Sequence, residues 1–142
     1  MYHSRGLTLV EVLIVVIVLA ILAAVVTPQF SRADTDMRFD ALKGSLLDVR
    51  AQLRLYRTQH NDRYPSLEQF VEQMTRPSNA EGKTSNRKSS EFSLGPYLRA
   101  IPRNPYTQCN RVGNGLIGTS DWYYDEQGGL FRANHDAAAS AY

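Results

Sequence analysis

GLTLVE at residues 6–11 and VLIVVIVLAILAAVV at residues 12–26 form the stretch that decides the fold. From Leu7 to Val26 there are 20 residues, and Glu11 is the one charged residue among them. As a helix they extend about 30 Å, which is the thickness of the hydrocarbon core of a bilayer. The stretch therefore predicts a membrane-spanning helix near the N-terminus.

An ordinary membrane anchor does not explain Glu11. A carboxylate near the centre of a bilayer costs about 2.5–3.5 kcal/mol, and the cost at Glu11 is smaller because this residue lies one turn into the run. The carboxylate still favours a partner of opposite charge. The alternative is that it extends toward the lipid headgroups.

Composition constrains the part of the chain after the anchor. The chain has 142 residues and a formal net charge of +2, and its mean hydropathy of −0.35 makes the remainder a polar, soluble domain. The net charge is too small to predict a nucleic-acid partner.

The charges that flank the apolar run predict its orientation. Arg5 precedes the run and charges of both signs follow it, which predicts an N-terminus in the cytoplasm. Cys109 is the one cysteine, so an internal disulfide is excluded and its role stays open.

The pattern becomes periodic after Pro28. Proline removes one helical hydrogen bond and clashes with the carbonyl of Ala24, so we expect a kink or local melting between about Ala24 and Pro28. The alternative is that the membrane helix ends at Pro28. Apolar residues then recur with spacings of 3 and 4, at Phe39, Leu42, Leu46, Val49, Leu53 and Tyr56. The spacing predicts one amphipathic helix to about His60 that packs on the sheet of its own domain, although it also suits a coiled coil.

The C-terminal half predicts short elements. Ser66 and Gln69 have capping-box spacing, which predicts a short helix ending before Pro77. Residues 77–91 predict an exposed loop, and aromatic runs around a glycine-containing turn predict a hairpin over residues 121–134, with a preceding strand near Leu116. These elements favour an α+β fold, in which a long N-terminal helix packs on a small antiparallel β-sheet.

The sequence contains no motif typical of a catalytic site or of a cofactor-binding site. His3, His60 and His135 lack the spacing of metal ligands. We find neither a glycine-rich phosphate loop nor a nucleophile elbow. The sequence predicts a protein that is not an enzyme and binds no cofactor.

The N-terminal motif resembles the processing motif of type IV pilins and of the pseudopilins of type II secretion systems. It consists of Arg5, Gly6, an apolar residue, Thr8-Leu9-Val10-Glu11 and the apolar helix. The resemblance implies that a prepilin peptidase cuts between Gly6 and Leu7 and methylates the new N-terminus of Leu7, where most members have phenylalanine. It also implies that Glu11 pairs with that amine on a neighbouring subunit. The implied organisation is a leader at 1–6, a transmembrane and polymerisation helix at 7–28 and a periplasmic pilin-like domain at 29–142.

Two features favour the pseudopilins within this group. A cysteine pair is missing. The tyrosine-proline step at Tyr64, followed by a proline-rich connector at 95–106, is similar to that of protein G-type pseudopilins. The resemblance implies a single-pass subunit of the inner membrane that is assembled into a helical periplasmic pseudopilus, which drives secretion. Its implied partners are membrane lipid, the prepilin peptidase, an inner-membrane assembly platform, other pseudopilins and further copies of this chain. A type IV or competence pilin and an anchored binding module that never polymerises are the alternatives.

The resemblance also raises the question of a calcium site, because protein G-type pseudopilins commonly bind calcium in a C-terminal loop. The available oxygen ligands are Asp121, Asp125, Glu126 and Asp136. The aspartate-rich ending of that family is not reproduced here, and Asp125 and Glu126 fall on the predicted turn. We therefore predict no metal site.

Overall fold

The computed structural model describes residues 8–139, apart from the side chains of residues 25–33. Its elements are α1 (Leu9–Gln59), α2 (Phe70–Thr75), β1 (Val112–Gly113), β2 (Trp122–Asp125) and β3 (Leu130–Ala133). The chain divides into two compact units, one up to Met37 and one from Arg38 onward.

Helix α1 confirms the predicted extent of the N-terminal helix. It has 51 residues and ends at Gln59, one residue before His60. The assigned helix includes Pro28, so it does not end there. The kink at Pro28 stays a prediction.

One face of α1 forms the base of the core in the second unit. Leu42, Leu46, Val49, Leu53 and Tyr56 are all buried, which confirms the spacing of 3 and 4. Burying each of these leucine side chains contributes about 1.5–3 kcal/mol. Facing aromatic and apolar residues complete the cluster; they are Phe70, Met74, Tyr97, Ile101, Trp122, Tyr124, Phe131, Ala133 and Ala139.

The three strands lie in the order β1-β2-β3. Strands β2 and β3 are antiparallel and pair Trp122 with Ala133 and Asp125 with Leu130, which confirms the predicted hairpin. Buried and half-buried residues alternate along β2, because successive side chains of a strand point to opposite faces. The hairpin and α1 together confirm the α+β architecture.

Strand β1 differs from the prediction. It forms at Val112 rather than near Leu116 and pairs in parallel with β2, so the sheet is mixed. The reason is a contact that spacing does not reveal: the backbone N–H of Arg111 donates to Asp121 Oδ2 at 2.8 Å, and the carbonyl of Arg111 accepts from Trp122 N at 3.0 Å. These bonds fix residues 111–113 beside β2. Leu116 is left in a loop and is 83% exposed.

The predicted capping box of the second helix was wrong. Helix α2 begins at Phe70, and its N-cap residue Gln69 makes no side-chain capping bond. Gln73 explains the difference, because its Oε1 accepts from the backbone N–H of Ser66 at 2.8 Å and its Nε2 donates to Gln69 Oε1 at 3.2 Å. Ser66 and Gln69, the two residues of the predicted capping box, therefore both form hydrogen bonds with Gln73.

The β2–β3 turn requires glycine at position 129. Gly129 has a φ of +67°, and a Cβ added there would overlap the ring of Tyr64. Gly118 is the matched control, since its φ is +85° but nothing lies within 4 Å of an added Cβ. Both positions carry the cost of a left-handed backbone, about 1–2 kcal/mol for a residue with a Cβ.

We predict that Gly129→Ala lowers the free energy of unfolding by about 1–3 kcal/mol more than Gly118→Ala, because only the first substitution also forces an overpacked contact. Chemical denaturation of the full chain in detergent measures the difference. Equal losses in the two variants would show that the Tyr64 ring moves aside without cost.

His60 is a buried neutral histidine at the end of α1. Its Nδ1 lies 2.8 Å from the carbonyl oxygen of Tyr56 and donates to it, while Nε2 accepts from Ser78 Oγ at 3.0 Å. The ring also stacks on Tyr56, with centroids 3.6 Å apart. Burial lowers the pKa of His60 below its ordinary value, and this effect exceeds the opposing hydrogen bonds to the backbone at Tyr56 and Asn79 and the charge of Glu81.

A lowered histidine pKa makes stability depend on pH in one direction. Below the unfolded pKa of 6.5 the unfolded chain binds more protons than the folded one, so the contribution of His60 is complete above that pH and declines as the pH falls. His60→Gln cannot titrate. We therefore predict that the difference in unfolding free energy between the native chain and His60→Gln is constant above pH 7 and moves in favour of the variant toward pH 5. A difference that does not change with pH would contradict a neutral His60.

Candidate functional site

Thr8 caps the start of α1. Its Oγ1 accepts a hydrogen bond from the backbone N–H of Glu11 at 3.3 Å, and its carbonyl accepts from Val12 N at 3.2 Å. A threonine at the N-cap satisfies a backbone donor that the first helical turn leaves unpaired. The cap fixes the helix start at Leu9 and places Glu11 at its third position. Sequence reasoning had not assigned this role to Thr8, although a threonine three residues before a glutamate is the capping-box signal.

Glu11 is the predicted assembly residue, and its side chain is exposed on the first turn of α1. Within residues 8–139 the Glu11 carboxylate forms neither an ion pair nor a side-chain hydrogen bond. The capping bond uses its backbone N–H alone, which leaves the carboxylate available. The predicted cleavage residues, Gly6 and Leu7, lie outside the described residues.

The helix surface around Glu11 is apolar on all sides. Every large apolar residue from Leu9 to Leu22 has between 49% and 82% of its surface exposed. Because successive helical residues are rotated by about 100°, the run from Val12 to Leu19 faces every direction around the helix. An exposed apolar surface of this extent marks a site of contact with a membrane or with another protein.

Among the residues that the structure describes, no helix combines the length and the hydropathy that a bilayer crossing requires.

The four acidic residues considered for calcium are used elsewhere. Asp125 accepts from the backbone N–H groups of Gln127 and Gly128, Glu126 from Leu67 N, and Asp136 from Ala139 N. Burial raises the pKa of Asp121, but hydrogen bonds from Thr107 and Arg111 and the charge of Arg111 outweigh it, so this pKa lies below its ordinary value. In the part of the chain that the structure describes, no three such residues are grouped to hold a metal. The arrangement does not fit the calcium site implied by the resemblance.

Comparison with known protein families identifies the motif at the start of α1. Residues 1–27 match the family model described as the prokaryotic N-terminal methylation motif. The match includes Gly6, Leu7 and Glu11. With the α+β fold, it defines a pilin-like subunit that carries an N-terminal methylation motif.

Relatives along the whole chain narrow the class. The chain is 31% identical over 122 residues to a type II secretion system core protein G of Pseudomonas aeruginosa, covering 85% of this chain and 82% of the relative. It is 27% identical over 137 residues to the protein of that name in Klebsiella pneumoniae, covering 96% and 94% of the two chains. It is also 27% identical over 107 residues to the type II secretion system core protein G of Vibrio cholerae, covering 75% of this chain and 68% of the relative. The chain belongs to the type II secretion system core protein G family.

This membership confirms the predicted resemblance to the pseudopilins of type II secretion. It also confirms that the chain is a structural subunit rather than an enzyme. No solved structure matches the chain significantly.

Proposed function

We propose that a prepilin peptidase cuts this chain after Gly6 and methylates Leu7, and that the mature chain assembles into a periplasmic pseudopilus that drives type II secretion. The observation that carries the proposal is the Glu11 carboxylate. It is exposed and unpaired within the described residues, and it lies on the first turn of a helix whose surface is otherwise apolar.

Cleavage supplies the missing partner. Cutting after Gly6 creates an α-amino group on Leu7 with a reference pKa of about 7.7–8.0, which is largely protonated at neutral pH and stays ionisable after one methylation. Glu11 becomes the fifth residue of the mature chain. An unpaired charge in a low-dielectric environment costs several kcal/mol, so neighbouring helices favour the axial offset at which amine and carboxylate meet. A difference of four residues corresponds to about 6 Å along the helix.

The exposed apolar surface of residues 9–22 supports a membrane location for the stored chain. In the stored form, residues 7–28 span the inner membrane, with the leader 1–6 in the cytoplasm and residues 29–142 in the periplasm. In the fibre, neighbouring helices replace the lipid, and small residues such as Ala20 allow close approach. The implied partners are the prepilin peptidase, an inner-membrane assembly platform, other pseudopilins and further copies of this chain.

Deleting the gene tests the function. We expect the proteins exported by the type II system to accumulate in the periplasm and to disappear from the medium, and the intact chain supplied from a plasmid to restore export. Normal export in the deletion strain would contradict the proposal. Loss of surface attachment or DNA uptake with export intact would indicate a type IV or competence pilin instead.

A further inference from the structure

Asn114 and Gly115 form the one asparagine-glycine pair of the chain, and they directly follow strand β1. Both residues are exposed. Within residues 8–139, neither the side-chain amide of Asn114 nor the backbone N–H of Gly115 is held in a hydrogen bond. The side-chain amide of Asn114 is therefore free to turn toward the N–H group of the residue that follows it.

The other asparagines lack this combination. Five of them have side-chain amides held in hydrogen bonds; they are Asn61, Asn79, Asn104, Asn110 and Asn134. Asn86 is exposed and its amide is free in the described chain, but Arg87 follows it. The backbone N–H of Arg87 also donates to Ser85 Oγ at 3.3 Å. Asn114 is therefore the one asparagine with both a free amide and a free N–H of glycine beside it.

An asparagine in this position can react with its own backbone. The nitrogen of Gly115 loses its proton to hydroxide and attacks Cγ of Asn114, which closes a succinimide ring. The bond from Cγ to the side-chain nitrogen breaks, and ammonia leaves with a proton taken from water. Water then opens the ring at one of its two carbonyl groups, which gives aspartate or isoaspartate. In isoaspartate the main chain runs through the former side chain and is longer by one carbon atom.

This reaction needs only hydroxide and water. The nucleophile lies in the same chain, and a well-placed intramolecular group reacts as if it were present at very high concentration. Glycine has no Cβ, so its nitrogen can approach Cγ closely. The rate rises with pH because hydroxide removes the backbone proton.

The loop requires glycine at position 115 for a separate reason. A Cβ added to Gly115 would lie 2.6 Å from Oγ1 of Thr119. That hydroxyl donates to the carbonyl oxygen of Leu116 at 2.6 Å. The residue that fits the loop is therefore also the residue that makes Asn114 reactive.

The same loop anchors the residue after β3. The carbonyl oxygen of Leu116 accepts from Nδ2 of Asn134 at 3.1 Å, and the backbone N–H of Gly118 donates to the carbonyl of Asn134 at 2.6 Å. Asn134 is fully buried, and its Nδ2 donates its other hydrogen to Ser120 Oγ at 2.9 Å. Moving Leu116 would therefore leave one N–H of a buried amide without an acceptor, which is costly.

We infer that Asn114 is a site of spontaneous modification, at which the folded chain converts asparagine to isoaspartate and weakens the anchor between Leu116 and Asn134. The added main-chain carbon displaces Leu116, which lies two residues after Asn114. The new carboxylate also places a negative charge in a segment, residues 112–120, that carries none. The inference is independent of the proposed function, because every group involved belongs to one unassembled chain.

Peptide mass spectrometry of the purified full chain in detergent tests the reaction. After incubation in a mildly alkaline buffer, trypsin releases residues 112–132, in which Asn114 is the one asparagine, and residues 84–87, which contain Asn86 as an internal control. We expect the first peptide to gain the mass of an amide-to-acid conversion at least about tenfold faster than the second. Fragmentation by electron transfer should identify isoaspartate among the products.

Asn114→Gln is the matched variant, because glutamine has to close a larger and less favourable ring. Its peptide should keep its mass over the same period. Equal rates at Asn114 and Asn86, or no gain of mass at Asn114, would overturn the modification site.

The weakened anchor has its own test. Asn114→Asp carries the new charge without the added main-chain carbon, so a fresh preparation of this variant should unfold at about the same denaturant concentration as the fresh native chain. The incubated native chain should unfold at a lower concentration in proportion to its isoaspartate content, while incubated Asn114→Gln should not change. An incubated native chain that unfolds like the fresh chain or like Asn114→Asp would overturn the effect on the anchor.

Discussion

The Gly6→Ala chain is expected to remain uncut in the membrane and to keep residues 1–6. Glycine lacks a Cβ and lets another backbone approach closely, so the added methyl group of alanine obstructs access to the bond before Leu7. We expect at least about a tenfold fall in the initial rate of cleavage, equivalent to about 1.4 kcal/mol in the cleavage barrier. Gel mobility of the full chain and its N-terminal mass, followed over time after synthesis, measure this rate.

Gly44→Ala is the matched control for this prediction. Gly44 lies within α1 with nothing near an added Cβ, and alanine in a helix interior is favoured over glycine by about 1 kcal/mol. The control chain should be cut normally. Equal cleavage of Gly6→Ala and Gly44→Ala would remove the processing claim.

The second large effect concerns assembly without a change in processing. Glu11→Ala and Glu11→Gln should both be cut and methylated, yet neither should form fibres. Removing one partner of a buried ion pair costs about 3–5 kcal/mol, which lowers the equilibrium for adding a subunit by more than about a hundredfold. Glutamine keeps the size of the side chain and loses only its charge, so its failure would identify the charge as the cause.

Glu68→Gln is the control for Glu11, because Glu68 is an exposed acid in the second unit without an ion pair in the described chain. This variant should assemble normally. Electron microscopy of sheared fibres gives the readout. Fibres of native length from Glu11→Gln would show that the subunits find their register by another contact.

Periodicity predicted the parts of the fold that depend on neighbouring residues. The buried face of α1 follows from the spacing between Leu42 and Tyr56, and the β2–β3 hairpin follows from aromatic runs around a glycine turn. The position of β1 was not predictable in this way, because it depends on Asp121 binding the backbone of Arg111 ten residues earlier. The start of α2 likewise depends on Gln73, a residue inside the helix.

Some residues of the candidate site could likewise be identified from the sequence, and others could not. Glu11 was recognisable as a charge that an apolar run does not explain, and the capping role of Thr8 was present in the same six residues. The apolar residues on the outward face of α1, Leu47 and Leu55, were not recognised, because the period that identifies the buried face assigns the remaining positions of α1 to solvent. Their exposure in the structure shows that part of that outward face is apolar.

The central claim is that proteolysis creates the amine with which Glu11 pairs. Intact mass spectrometry of the chain recovered from sheared fibres tests it most directly. We expect a polypeptide that begins at Leu7 and carries one added methyl group. A fibre subunit that still begins at Met1 would contradict the account.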